Sequence, residues 1–488
     1  MQMILIAQSG MLFAGLLTVV GAVALNSLIV VAAGHLILCL AGAAHLWMVI
    51  ANRTRCWSLC DIHAGSLLVS YFGGSAMTLA LSEGGIISKL TIVQLATIFD
   101  ASLFIVVFSL CLYAFGRLES PFWKRLFDQD LGSGWPGWAP FLILVLGGMQ
   151  AALIASGAIT FQGTGTGEGD ELPVLAALVV ALSWPLMGIC GWILGQPNLR
   201  RRRAFLLSAL ALLPIEVVFS FAHGRRVILF QALIFVTCFA WSRGRGLRAG
   251  QLVAMGIAAL PVIYLLWVVF LALRIEGYSY ARQGSDNRDI LTRLESASEL
   301  METRWGTVAQ SQEKEVVDRV FVLGYLVDLM DNARVGNQYF GRVALGEMLT
   351  GVPRFLLPDK EKIVSSLRAS ETDIGLRYRI GVADRASSIV TAAYIDFRWL
   401  GPPLFAALAF MVGAAMAILA LMIRMNFFAV YVISYVFLGA LATETAFFAH
   451  KLNMLRLVAV VFAALCLFQF LTRLSAGPMM AYRQKRLT

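Results

Sequence analysis

Residues 400–423 read LGPPLFAALAFMVGAAMAILALMI, twenty-four positions without one charged side chain. As a helix the stretch would rise about 36 Å, enough to cross a hydrocarbon core of about 30 Å. It has no polar stripe to turn toward water, so it must be enclosed on all sides by lipid or by other apolar helices. Further runs of this kind lie on both sides. Two follow it, near 427–449 and 455–475. Nine precede it, near 3–24, 27–50, 64–82, 91–115, 138–161, 173–195, 204–221, 227–242 and 250–273. The chain of 488 residues is 59% hydrophobic and 14% charged, against roughly 25% charged in soluble domains. The expected fold is an all-α polytopic membrane protein with about 12 transmembrane helices. Residues 1–273 carry helices 1–9, residues 274–398 form a large, helical extracytoplasmic loop between spans 9 and 10, and residues 399–488 carry helices 10–12 and a basic tail. No signal-cleavage pattern follows the first run, which is therefore taken as a span.

Orientation follows from lysine and arginine, because short loops rich in them stay cytoplasmic. With both termini inside, seventeen basic residues fall in inner loops and the tail, among them the RRRR run at 200–203 and Arg483, Lys485 and Arg486. Five fall in the short outer loops: Lys89, Arg225, Arg226, Lys451 and Arg456. The formal charge of +10 is thus mainly this inside bias, and no nucleic-acid partner is expected. The seven cysteines avoid the 274–398 segment, so no disulfide framework is expected there. Cys56 and Cys60 lack the second pair that a structural zinc site needs. There is no fixed-period repeat, and the halves differ in loop size, unlike an inverted-repeat transporter.

The outer segment divides by charge. Residues 276–333 hold eleven acidic against six basic side chains, with helical patterns in RDILTRLESASELMETRW and in the apolar RVFVLGYLVDLM. The second pattern predicts an amphipathic helix lying on the membrane surface or on the spans. Residues 334–398 reverse the balance, ten basic against seven acidic, so this half is the one suited to meet anions. The QGTGTGEGDE stretch at 162–171 reads as a flexible acidic connection.

Several cations converge on the outer side. HGRR, 223–226, is the turn between two spans, and Arg274 ends the ninth. Pro353 fixes its own φ and biases its predecessor away from helix. It should end the helix over GRVALGEMLT and aim Arg354, with Pro358 repeating the constraint before Asp359 and Lys360. Arginine donates paired hydrogen bonds to phosphate oxygens, and lysine supplies a point charge. Such groups at an interface suit a diphosphate whose lipid tail stays in the bilayer. The plainer alternative is that Arg354 snorkels to lipid headgroups. Ionisable residues within spans, Asp100, Glu216 and Glu444, are costly there, and an interhelical salt bridge is the simplest role for each. His35 and His45 read as core or inner-interface residues.

The run QYFGRVALGEMLTGVPRFLLPDKEKI, 338–363, resembles the outer loop of Wzy-type oligosaccharide repeat-unit polymerases, with its glycine, Pro-Arg, apolar pair and Pro-Asp-Lys. AAYIDFRWLGPPLFAAL, 392–408, resembles the stretch that opens that family's next span, and HGRRVILFQAL its arginine turn. The chain carries Asp396-Phe397-Arg398 where the family commonly has Asn-Phe-Gly. It has Glu361 where a further proline is common, and Val390 and Thr391 near a position where a glutamate is expected.

The resemblance implies a GT-C-like glycosyltransferase in the bacterial inner membrane that needs no cofactor and no metal. It would join undecaprenyl-diphosphate-linked oligosaccharide units, donor and acceptor, into a long polysaccharide, with membrane lipids and a chain-length co-polymerase as companions. Expected diphosphate ligands are Arg225, Arg226, Arg274 and Arg354, followed by Lys360, Arg368 and Arg385. Glu444, His450 and Asp396 are the candidates for a general base. An O-antigen ligase-like transferase, a transporter of lipid-linked sugar and a structural or sensory membrane protein are the alternatives.

Overall fold

A computed structural model describes residues 2–25, 27–51, 58–81, 92–155, 179, 181–222, 225–244, 250, 251, 254, 299, 322–333, 337–350, 352, 357–380, 388–423, 425–441 and 454–464. Among them there are helices and no strand. The first group comprises α1 (Gln2–Leu25), α2 (Leu28–Ala51), α3 (Leu59–Leu81), α4 (Ile92–Phe127), α5 (Ala139–Ala155), α6 (Leu186–Gly195), the short α7 (Pro197–Arg200), α8 (Arg203–Ala222) and α9 (Arg225–Ser242). The polar segment contributes α10 (Val322–Asp331), α11 (Arg342–Thr350), α12 (Lys360–Ser366), α13 (Glu371–Tyr378) and α14 (Ile389–Phe397). A 3-10 turn (Arg398–Leu400) leads into α15 (Gly401–Ile423), followed by α16 (Asn426–Leu441) and α17 (Met454–Ala464).

Four stretches are long and apolar enough to cross a membrane: Leu28–Ala51, Leu95–Phe127, Arg203–Ser220 and Ile389–Ile423. Shorter apolar helices, including Ser9–Leu25, Ala139–Ala155, Val227–Ser242 and Asn426–Leu441, occupy positions where further spans are expected. The run near 250–273 and the helix over RDILTRLESASELMETRW lie almost wholly outside the described residues, as does the 162–171 connection. At 35 residues, Ile389–Ile423 would measure about 52 Å as one straight helix, far more than a ~30 Å core requires. The chain breaks it at 398–400, so that α15 is long enough to span alone.

Small residues set the closest approaches. A Cβ on Gly191 of α6 would stand 2.3 Å from the Phe235 carbonyl oxygen of α9, and one on Gly195 2.4 Å from that of Phe239. Only hydrogen side chains permit such backbone contact between helices. Polar groups then tie helices that hydrophobicity alone would leave free to slide. Ser102 Oγ of α4 donates to the Ile98 carbonyl at 2.7 Å, so it accepts from Nε2 of buried His35 at 2.9 Å. That tautomer leaves Nδ1 to accept from Ser75 Oγ of α3 at 2.8 Å. One imidazole thus pins α2, α3 and α4 together.

The N-terminus of α3 is capped from two directions. Ser58 Oγ accepts from Asp61 N at 2.9 Å and donates to Asp61 Oδ2 at 2.8 Å. Glu119 of α4, fully buried, accepts from Leu59 N at 2.9 Å, Cys60 N at 3.1 Å and the Trp123 indole at 2.7 Å. An anion at the positive end of a helix satisfies both the orphan amides and the dipole. Gly413 of α15 makes room for it, since a Cβ there would lie 2.1 Å from Glu119 Oε1.

The amphipathic helix expected from RVFVLGYLVDLM is α10. Its buried Leu323, Leu326, Val327 and Leu329 pack it on α3, α4 and α14, so it rests on the bundle. The helix expected before Pro353 is α11, which ends at Thr350.

Candidate functional site

The polar segment folds back onto the end of α14, and the joint is made by Asp396. Helix α14 starts at a reciprocal cap in which Ser388 Oγ accepts from Thr391 N at 3.2 Å and Thr391 Oγ1 from Ser388 N at 2.8 Å. Tyr71 of α3 hydrogen-bonds the same Ser388 hydroxyl. At its other end the helix has carbonyls without intrahelical partners. The loop satisfies two of them: Tyr339 N donates to the Ile395 oxygen and Phe340 N to the Asp396 oxygen, each at 3.1 Å. Gly341, at φ +84°, then turns the chain against the Phe397 ring. Here α11 begins, and the buried Asp396 side chain caps it, Oδ1 accepting from Val343 N at 3.1 Å and Oδ2 from Ala344 N at 2.9 Å.

The far end of α11 is held by the opposite charge. Lys360 Nζ donates to the Thr350 carbonyl at 3.1 Å and the Val352 carbonyl at 2.9 Å. A carboxylate at its N-terminus and an ammonium at its C-terminus both match the helix dipole. Lys360 thus ties the start of α12 back to the end of α11; Pro353 and Arg354 lie outside the described residues. The other lysine of the stretch, Lys362, pairs with Asp359 at 2.9 Å on the open surface, where such a pair contributes little.

Arginines and aromatic rings cover this joint. Arg398 stands 4.6 Å from the Tyr394 ring centre and 5.5 Å from that of Tyr378, and Arg377 is 4.7 Å from that of Tyr339. Phe104 of α4 meets Tyr394 and Trp399 edge-on, each at 5.4 Å. Tyr378 donates its hydroxyl to the Asn337 carbonyl at 3.2 Å. Burial pushes its phenol up to about 12, with Arg398 pulling the other way, so it stays a neutral donor. Arg342 and Arg377 are exposed at the joint, and Arg368 and Arg379 are exposed in the same segment. Arg368 and Arg379 follow the last turns of α12 and α13 with φ of 49° and 56°. Chemically, the layer offers a cationic rim over neutral phenols, an arrangement able to meet an anionic group carrying hydroxyl-rich sugar.

Among the expected site residues, Asp396 and Lys360 are brought to opposite ends of one short helix, and Arg368 lies on the rim. Asp396 has both oxygens committed to backbone amides, and Lys360 has two of its three protons on carbonyls. Arg225 and Arg226, expected in the turn at 223–226, instead open α9; their side chains lie outside the described residues, as do Arg274, Arg354, Arg385, Glu444 and His450. Tyr339, Tyr378, Tyr394 and Arg398 were not expected. Tyr394 and Arg398 lie within the motif stretch and meet each other locally, but Tyr378 and Phe104, which complete the layer, come from elsewhere in the chain, which no local pattern announces. Compared with protein-family models, with curated proteins and with solved structures, the chain gives no match.

Proposed function

We propose that this chain is a membrane glycosyltransferase that joins lipid-linked oligosaccharide units into polysaccharide at the outer leaflet of a bacterial inner membrane. It would have twelve spans, a GT-C-like arrangement and both termini in the cytoplasm. The observation carrying the proposal is the two-ended clamp on α11. The stretch that resembles the Wzy-type outer loop is the one whose helix is fixed at its start by Asp396 and at its end by Lys360. The departure at Asp396-Phe397-Arg398 fits as well. Arg398 has φ 54° and ψ −133°, a conformation natural to glycine, and glycine is what the resembled motif carries there. Asp396 supplies acceptors where that motif has asparagine.

In the proposed reaction an acceptor sugar hydroxyl attacks the anomeric carbon of the donor. A new C–O bond forms, the bond to the diphosphate breaks, and undecaprenyl diphosphate leaves with the electron pair. Arg354, with Arg225, Arg226, Arg274, Arg368 and Arg385, would stabilise the charge growing on that group. Glu444 or His450 would take the hydroxyl proton. Asp396 and Lys360 are positioning residues in this scheme, because their polar atoms already serve α11. The donor and acceptor are both undecaprenyl-diphosphate-linked, and a chain-length co-polymerase is the expected protein partner.

The test is turnover of purified protein with lipid-linked repeat units. Arg354→Ala should abolish polymer while the protein remains inserted and monodisperse, leaving single lipid-linked units. Wild-type protein that elongates nothing, but moves finished glycan to another acceptor or carries lipid-linked units across vesicles, would replace the proposal with the ligase or the transporter.

A further inference from the structure

A second polar site lies inside the bundle, away from the loop layer. Glu216 sits on α8 two residues after Pro214 and six before the helix ends, about 9 Å along its axis. Its side chain is fully buried, and neither carboxyl oxygen has a hydrogen-bond partner. Gln150 of α5, also fully buried, faces it closely enough to act on the carboxyl, but neither amide atom reaches a well-formed hydrogen bond. Ser220, one turn further along the same face of α8, is buried with a free hydroxyl oxygen. The interhelical salt bridge expected for Glu216 is absent among the described residues.

Five polar atoms from three side chains therefore lie buried here, none of them in a well-formed hydrogen bond among the described residues. A buried polar atom without a partner is costly, and an uncompensated carboxylate more so. A fold that only needed α5 against α8 would place leucine at these positions, as it does at Leu212, into which Gly147 packs. Among the described residues the surrounding groups supply no counter-charge. From α6 comes Cys190, whose thiol lies 3.8 Å from the Ala209 carbonyl. From α9 comes Gln231, whose amide donates to the Trp184 carbonyl at 3.0 Å and whose oxygen is unpartnered. The described part of α5 carries no ionisable side chain, and α7 meets the opposite end of α8 with Arg200.

We propose that Gln150, Glu216 and Ser220 form an intramembrane site for a single monovalent cation, a proton or a sodium ion. The carboxyl supplies the charge, and the amide and hydroxyl oxygens complete the shell. Occupancy would bring α5 and α8 together at this level, so an ion gradient could act on their packing. The site is independent of the glycan chemistry and stands or falls separately from it.

The experiment uses full-length purified protein and dicyclohexylcarbodiimide, which adds to protonated carboxyl groups in apolar surroundings; the adduct is read by mass on the peptide containing Glu216. Labelling should occur and vanish in Glu216→Gln. If the ion is sodium, NaCl at ten times its dissociation constant should slow labelling about tenfold, and choline chloride should not. If it is a proton, labelling should fall as pH rises, whatever the sodium concentration. Thermal melting gives the second readout: the favoured ion should raise the melting temperature of wild type and leave Glu216→Gln and Gln150→Leu unmoved. No adduct at Glu216, or labelling and melting insensitive to both ions, overturns the proposal.

Discussion

Asp396→Ala should free the N-terminus of α11 while leaving the apolar bundle intact. The substitution removes two hydrogen bonds from a buried carboxylate, to Val343 N at 3.1 Å and Ala344 N at 2.9 Å. Bonds to charged groups contribute about 1.5–3 kcal/mol each, and the low end applies because a freed helix end can rehydrate. The sum, about 3 kcal/mol, equals roughly a hundredfold change in a local opening equilibrium. Asn keeps one acceptor and should lose about half of this, roughly tenfold. Hydrogen exchange measured on peptides covering 339–350, with those of α15 as internal control, reads the effect directly. Unchanged exchange in the alanine variant would refute the clamp. The Asn variant also separates two roles. A positioning residue should retain most polymer formation as Asn, whereas a general base should lose it. Full protection with abolished turnover would return Asp396 to the chemistry.

The other end of α11 gives a matching case. Lys360→Met keeps the apolar stem but loses the bonds to Thr350 and Val352, about 1–2 kcal/mol. Protease cleavage between residues 350 and 360 should quicken about tenfold, and Lys360→Arg should recover part of the protection; cleavage at the wild-type rate would dismiss this role. At Arg398 two effects oppose. Glycine relieves backbone strain of about 1–3 kcal/mol and forfeits a cation–π contact of about 0.5–2 kcal/mol. Arg398→Gly should therefore melt close to wild type and Arg398→Ala clearly lower; equal melting temperatures would mean that the conformation is unstrained.

Membrane insertion, an all-helical architecture and many element ends were legible in the chain itself. Apolar length settles which stretches leave water, and local rules settle where some of them stop: α11 ends at Thr350, ahead of Pro353, whereas α9 already starts at Arg225, inside the stretch expected as a turn. The charge reversal after residue 333 also marked the half of the loop where a cationic rim forms. What those charged residues do was not legible. Asp396 reads as a possible base until it meets amides 52 and 53 residues earlier in the chain. Lys360 reads as a phosphate ligand, and nothing in the sequence announces the two carbonyls it also holds. Glu216 reads as half of a salt bridge until the described residues of the neighbouring helices arrive with an amide and no cation. Burial of apolar surface depends on composition over twenty residues and survives averaging, so sequence reports it. The role of a polar atom depends on which partner stands within 3 Å, and only the packing of distant helices decides that.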